Sequence, residues 1–304
     1  MGRYTSKDEV LSSLFFKMYN SSGLDDWKDM VLDPKVEADK INLPFLGGPA
    51  GLRKFDGEAD IRELVDAEYT YVTSPYHDTV AINAERFMRD HLGLYKANIE
   101  QCAVAAKMHP RKLVVDLLNA AFTGKDYTGS AFIATGKKHL VDGEGKAASG
   151  YATFSNLLTG ALSAEKLMEA IGMLREQTNC YGEVLGLAAT APTLIIPSAL
   201  ELTAKKILKD YDENATSGVA KMRVMPGLKS QTAWFVADLD NPIKPFVCNT
   251  VTEPRVQSNA HELDGASATA DFLRTHQYIW QVFAEYAAGY GASTRIVGSQ
   301  GTGS

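Results

Sequence analysis

The sequence is poor in the residues on which most chemistry depends. Cys102, Cys180 and Cys248 are its three cysteines, far apart and without a CxxC pair. That excludes a disulfide framework and a cysteine-rich zinc site, and it leaves them as reduced core thiols. The six histidines, His77, His91, His109, His139, His261 and His276, include no two spaced by four, the spacing that puts two imidazoles on one helix face for a metal. His109, directly before Pro110, reads as a helix junction and His139 as a loop residue. The GxxxxGK[ST], GxSxG, HExxH and EF-hand patterns are all missing, so no nucleotide loop, hydrolase elbow or zinc protease helix is encoded in recognisable form. The glycine-rich DGEGK at 142–146 lacks both the second Gly-Lys and a preceding strand, and it reads as a surface turn. No enzyme is expected, and no catalytic, cofactor or metal residue is assigned.

Long apolar runs are absent as well. The longest candidate, around Leu194 to Ile196, is bounded by Pro192 and Pro197, far short of the roughly 18 residues of a membrane span. A soluble chain with no membrane partner is expected. A net charge of −6 opposes the basic footprint of a nucleic-acid reader, so any contact with nucleic acid should be weak and non-specific. The first ten residues carry acids and no apolar core, which points to cytoplasmic synthesis without a cleaved signal. Apolar residues at 45% and charged residues at 22% are ordinary globular usage. The 304 residues allow about two packed units at roughly 150 residues each.

Along the chain, residues 1–45 mix an apolar stretch at 10–19 with the polar Asn20-Ser-Ser-Gly23 and a charged run at 33–40, the look of an arm. Leu46-Gly-Gly-Pro-Ala-Gly51 is a cluster of breakers that marks a boundary. Residues 84–108 repeat apolar positions at helical steps, and Pro110 ends or kinks that helix while suiting the first turn of a second one through Ala121. Residues 124–150 are rich in glycine and read as loop. Ser163 is a predicted N-cap, with Leu162 and Leu167 in staple positions. Residues 194–196 read as a buried strand, 198–209 as a helix, and 232–237, 245–251 and 278–286 as strands. Strands and helices alternate too irregularly for βαβ units, so the fold class is α+β.

Between residues 58 and 83, β-branched and aromatic residues such as those of Tyr69-Thr-Tyr-Val-Thr73 predict two or more strands forming a long hairpin. Glu58, Asp60, Glu63, Asp66 and Glu68 are interleaved there with Arg62. Such charges suit hydration, or pairing with a neighbour's basic residues that sets docking register, better than paired-carboxylate catalysis. Two strands exposed on both faces are marginal in water, which predicts that the hairpin packs on another subunit. Arg62, Glu63, Asp66, Glu68, Tyr69 and Tyr71 are the expected interface residues.

Several colinear segments then carry a resemblance. HPRKLVVDLL at 109–118, LIIPSALE at 194–201, AWFVAD at 233–238 with NPIKP at 241–245, and Gly289-Tyr-Gly291 resemble the Mu-like major head subunit family of tailed phages, whose members are capsid proteins of the Hong Kong 97-type fold. Leu46-Gly47 and residues 53–55 extend it. Ala292-Ser293 stands where the family has a bulky aromatic pair, and Lys137-Lys-His-Leu140 where it has an acidic-His-Pro turn.

The resemblance implies an N-arm over 1–45, an extended E-loop hairpin over 46–83 and a P-domain over 84–149 with a spine helix. It also implies a mainly A-domain region over 150–264 and a C-terminal return to the P-domain over 265–304. It implies a major capsid protein assembled in the bacterial host cytoplasm into the virion capsid. The partners would be the chain itself as hexamers and pentamers, a scaffolding protein or head protease, a portal, decoration proteins and packaged double-stranded DNA. The alternatives are the shell of a cellular nanocompartment and a soluble α+β enzyme with a site outside known motifs. A chain lacking residues 58–82 is expected to fold and fail to assemble.

Overall fold

The computed structural model describes residues 2–21, 23, 25–46, 66–89, 93–139, 152–187, 191–212, 218–265 and 276–301. Helix α1 (Arg3–Ser21) is followed by β1 (Val31–Leu32), β2 (Lys40–Leu46), β3 (Asp66–Val72), β4 (Ser74–Asn83), the short α2 (Ala84–Arg89) and the long α3 (Leu94–Asn119). β5 (Lys137–Lys138), β6 (Thr153–Phe154) and β7 (Leu157–Leu158) precede α4 (Ala164–Arg175), β8 (Thr193–Ile196) and α5 (Glu201–Asp212). Then come β9 (Lys221–Val224), β10 (Trp234–Ala237), β11 (Phe246–Ser258), α6 (Ala260–Asp264), β12 (Gln277–Tyr290) and β13 (Ile296–Ser299). Helices and strands are mixed along the chain without repeating βαβ units, as in the α+β class.

Two sheets organise the chain. A five-stranded sheet runs in the order β7-β13-β10-β8-β9. Every residue of β8, β10 and β13 is buried, because helices cover both faces. Leu194, Ile196, Trp234 and Val236 pack on Leu167, Ile171 and Leu174 of α4 and Ala204 of α5. Ile195, Phe235 and Ile296 turn the other way, toward Val114, Val115 and Leu118 of α3. α4 starts where the sequence predicts, with Ser163 Oγ accepting the Lys166 N–H at 3.2 Å.

The second sheet has the order β1-β11-β12-β4. One face carries Tyr278, Trp280 and Val282 of β12 and Ile82 of β4 against Ile99 and Ala103 of α3 and Leu11 and Phe15 of α1. Gln277 and Ile279 of β12 turn outward and are exposed. β11 (246–258) therefore does not group with the strands of 150–245, as the expected 150–264 unit has it, but pairs with β12. β13, expected to return with 265–304, pairs with β10 and β7 in the other sheet.

The expected arm over 1–45 is, over its first half, a docked helix. The Asp264 carboxylate accepts the N–H groups of Tyr4 at 3.0 Å and Thr5 at 2.7 Å and the Thr5 hydroxyl at 2.7 Å, satisfying the orphan amides of the first turn. Lys7 Nζ donates to the Phe87 and Met88 carbonyls, where cationic charge suits the end of α2.

α3 corrects the expectation of two helices at Pro110. It runs 26 residues through that proline, roughly 40 Å at 1.5 Å per residue. The stripes before and after Pro110 both bury, and that offsets the lost hydrogen bond.

The hairpin expected within 46–83 is also corrected. Only Thr73 separates β3 from β4, too little for a two-residue hairpin turn. β3 pairs antiparallel with β2 from Asp66↔Leu46 to Val72↔Lys40, while β4 pairs with β12 along its whole length. The paired strands are thus 40–46 and 66–72. A deletion of 58–82 would take β4 from its sheet together with buried Ile82, so it would unfold the chain rather than spare it.

Candidate assembly interface

Arg62 and Glu63 lie outside the described residues. Asp66 and Glu68 stand in the outer half of the hairpin, in register with Leu46 and Pro44. Tyr69 and Tyr71 sit at its base, where β3 meets the body of the chain, and there the sequence reading needs correcting. Tyr71 is only 2% exposed and belongs to a small apolar cluster with Val247 and Ala287. Its hydroxyl donates to the Tyr290 carbonyl at 2.7 Å. Tyr69 donates to the Lys125 carbonyl at 3.1 Å and meets Tyr71 edge to face at 5.0 Å. Burial, and then the nearby Asp126 charge, push the Tyr69 phenol above its ordinary pKa. Tyr71 is therefore engaged inside its own chain and holds the hairpin rather than meeting a neighbour.

Residues that sequence reasoning did not single out complete the base. Asn249 is fully buried; its Oδ1 accepts the Val36 N–H at 2.9 Å and its Nδ2 donates to the Val36 carbonyl at 2.8 Å. It thereby clamps the leg leading into β2 much as a strand partner would. Asp33 Oδ1 accepts the Thr250 N–H at 3.2 Å. Thr73 closes the outgoing leg, its hydroxyl donating to the Ala38 carbonyl at 2.8 Å and its N–H to the Asp39 carbonyl at 3.0 Å.

The Gly289-Tyr-Gly291 segment acquires a physical reason here. A Cβ on Gly289 would stand 2.7 and 2.8 Å from two ring carbons of Tyr71, and one on Gly291 would stand 2.5 Å from the Lys244 carbonyl oxygen. Both glycines admit a neighbour that any side chain would displace. Between them Tyr290 stacks on Phe132 at 4.4 Å and donates to the Leu117 carbonyl at 3.0 Å, tying β12 to the end of α3.

Beneath this base lies an ion pair with both side chains fully buried, Lys137 with Asp126. Lys137 Nζ also donates to the Ala131 and Phe132 carbonyls at 3.0 and 2.9 Å, so its three donors are matched. Asp126 Oδ1 accepts the N–H and hydroxyl of Thr128. Burial lowers the Lys137 pKa from its ordinary value, against the opposing pull of Asp126.

Of the residues weighed for chemistry, His77, Cys102 and His109 line one pocket together with Asp78. Burial pushes the Cys102 thiol up to about 11 and Cys248 up to about 12, and it brings His139 down to about 4, so near neutral pH these groups are uncharged. His109 packs against Tyr76 at 4.2 Å. Among the described residues no cluster of His, Cys, Asp and Glu is placed to hold a metal, and no helix is long and apolar enough to cross a membrane. The DGEGK segment lies outside the described residues.

Comparison with known proteins gives this geometry its setting. Residues 16–161 match the model of the family described as Mu-like prophage major head subunit gpT. No curated protein matches the chain. Among solved structures, the procapsid chain of bacteriophage JBD30 is 16% identical with a TM-score of 0.55, over 96% of this chain and 74% of that one. The JBD30 capsid decorated with minor capsid protein trimers gives 12% identity and a TM-score of 0.51, over 91% of this chain and 64% of that one. This chain thus spans about two thirds to three quarters of the length of the JBD30 chains. The virus-like particle of Pyrococcus furiosus gives 12% identity and a TM-score of 0.52, over 96% and 98% of the two chains. At these identities the likeness is one of fold, and the fold is the Hong Kong 97 type.

Proposed function

We infer that this chain, a Mu-like major head subunit by its match over residues 16–161 and a Hong Kong 97-type capsid chain by fold, is the major capsid protein of a tailed bacteriophage. It self-assembles as hexamers and pentamers into an icosahedral shell around double-stranded DNA. The observation that carries the reading is the β2–β3 hairpin. Its two strands pair with each other and with no further strand among the described residues, while its base is bonded into the body. Two strands alone are marginal in water, and a projecting pair supplies the heterologous contact that closes subunits into rings. The role is structural rather than catalytic.

In this reading the hairpin is the E-loop and α3 is the spine helix. The four-stranded sheet with α1 and α3 forms the P-domain, and the five-stranded sheet with α4 and α5 forms the A-domain. Assembly takes place in the host cytoplasm. Proposed partners are a scaffolding protein or head protease, a portal, and packaged DNA held by weak contacts, as the acidic balance favours. Decoration proteins are a further proposed partner, in line with the minor capsid trimers of the JBD30 particle.

The near-complete mutual coverage with the Pyrococcus furiosus virus-like particle chain supports a second reading, a cellular shell of the same fold. The phage family match favours the first. Negative-stain electron microscopy of the expressed chain tests both: closed shells or capsomer rings are expected, and a monomer under every assembly condition would overturn them. Shells that fill with DNA only when a portal is co-expressed would separate a phage head from a cellular compartment.

A further inference from the structure

The contacts at the hairpin base are more extensive than tethering alone requires. Four of the bonds are short and involve buried or half-buried groups on both legs: Tyr71 to Tyr290, Thr73 to Ala38, and the two between Asn249 and Val36. Beside them the Tyr71 ring occupies the space that a side chain at position 289 would fill. The ring has one seat, bounded by the β12 backbone below it and by Tyr69 at its edge.

We propose that the Tyr71–Gly289 seat is the pivot that fixes the direction in which the β2–β3 hairpin points, making Tyr71 a positioning residue for subunit assembly. Tyr71 pairs with Ile41 across the hairpin, so a tilt of its ring moves both strands together. A seven-residue strand is roughly 20 Å long at about 3.3 Å per residue, and a rotation of about 10° at its base displaces the far end by about 3.5 Å. That is a full residue step at Leu46 and Asp66, enough to shift the register of any contact made there. The consequence for assembly rests on the capsid reading above, whereas the pivot itself rests only on contacts within the chain.

The test uses the full chain as wild type, Gly289→Ala, Tyr71→Ala and Tyr71→Phe. It measures hydrogen exchange over residues 38–46 and 66–73, the global unfolding midpoint, and shell yield by sedimentation and electron microscopy. Gly289→Ala and Tyr71→Ala should keep the midpoint within about 10 °C of wild type. Both should lose at least about tenfold in hairpin protection, and shell yield should fall in step. Tyr71→Phe keeps the ring seated and loses one hydrogen bond, so its protection should fall no more than about fivefold, with shells restored. A residue that merely stabilised the fold would lower the midpoint of all three variants and leave the hairpin and the shells of the folded fraction as they were.

Retained hairpin protection in both Gly289→Ala and Tyr71→Ala would overturn the pivot, as would normal shells formed despite lost protection. If Gly289→Ala does not fold, Tyr71→Ala, which removes atoms instead of adding them, decides by the same readouts. A wild-type chain that forms no shells would count against the capsid reading, and exchange at the hairpin would still decide the pivot.

Discussion

β8, β10 and β13 bury every residue they contain, whereas β12 begins by alternating buried and exposed positions, with Tyr278 and Trp280 inward and Gln277 and Ile279 outward. The first pattern belongs to a sheet that its own chain covers on both faces, with α4 and α5 on one side and α3 on the other. The second belongs to a sheet covered on one face by α1 and α3 and on the other only where Tyr71 packs on Val247 and Ala287, with Gln277 and Ile279 left exposed. From this second sheet, through Thr73, springs the hairpin. The closed sheet is covered on both faces by its own chain, and the other leaves part of one face exposed. In the capsid reading, stability and assembly fall to different regions, so mutations should separate them.

The sharpest way to break the contrast is at the middle of the closed sheet. Trp234 is fully buried and its Nε1 donates to the Gly160 carbonyl at 3.2 Å. Trp234→Ala should cost about 3–5 kcal/mol in urea unfolding, with the folded fraction still able to assemble. Close behind comes the buried pair. Lys137→Ala leaves the buried Asp126 charge without its cation, held only by Thr128, at a cost of about 3–5 kcal/mol. The double change Lys137→Met with Asp126→Leu should recover most of that loss, and equal losses in the single and double variants would show that the pair is not coupled.

A smaller effect is expected where α1 is attached. Partial burial raises the Asp264 pKa, but the Thr5 and Tyr4 N–H groups and the Thr5 hydroxyl outweigh it and hold the carboxyl below its ordinary 3.8. A depressed carboxylate contributes stability that is present above its unfolded value and lost as the pH falls through the folded one. Exchange protection of α1 should therefore be full at about pH 5 and fade only below about pH 3.8. Asp264→Asn should weaken α1 at every pH, and unchanged protection in that variant would remove the latch. Smallest of all should be the solvated pair Lys205 with Glu201 on α5, where Lys205→Ala should change unfolding by less than about 0.5 kcal/mol.

The same division explains what could be read from the sequence. α4 with its Ser163 cap, β8 followed by α5, and the strands β10, β11 and β12 follow from local periodicity and local caps, and they stand where those signals lie. What was not legible depends on partners far along the chain. α1 needs Asp264, 259 residues from Thr5, to cap it. Tyr71 needs Tyr290, 219 residues away, and no local signal tells a buried anchor from an exposed aromatic on a hairpin. The pairing of β4 with β12 rather than β3 is likewise invisible until Thr73 is seen to be the only residue between two strands. Gly289 offered the best available clue, since a glycine inside a long strand marks a close approach.

Sedimentation velocity of the full chain beside a chain in which Asn-Gly replaces residues 47–65, so that Leu46 and Asp66 keep their register across a two-residue turn, with electron microscopy of both, tests the division of labour most directly. Shells from the full chain are expected, together with a folded monomer of unchanged unfolding midpoint from the shortened one. Shells from the shortened chain, or its unfolding, would contradict a subunit that folds without the segment between β2 and β3 and assembles through it.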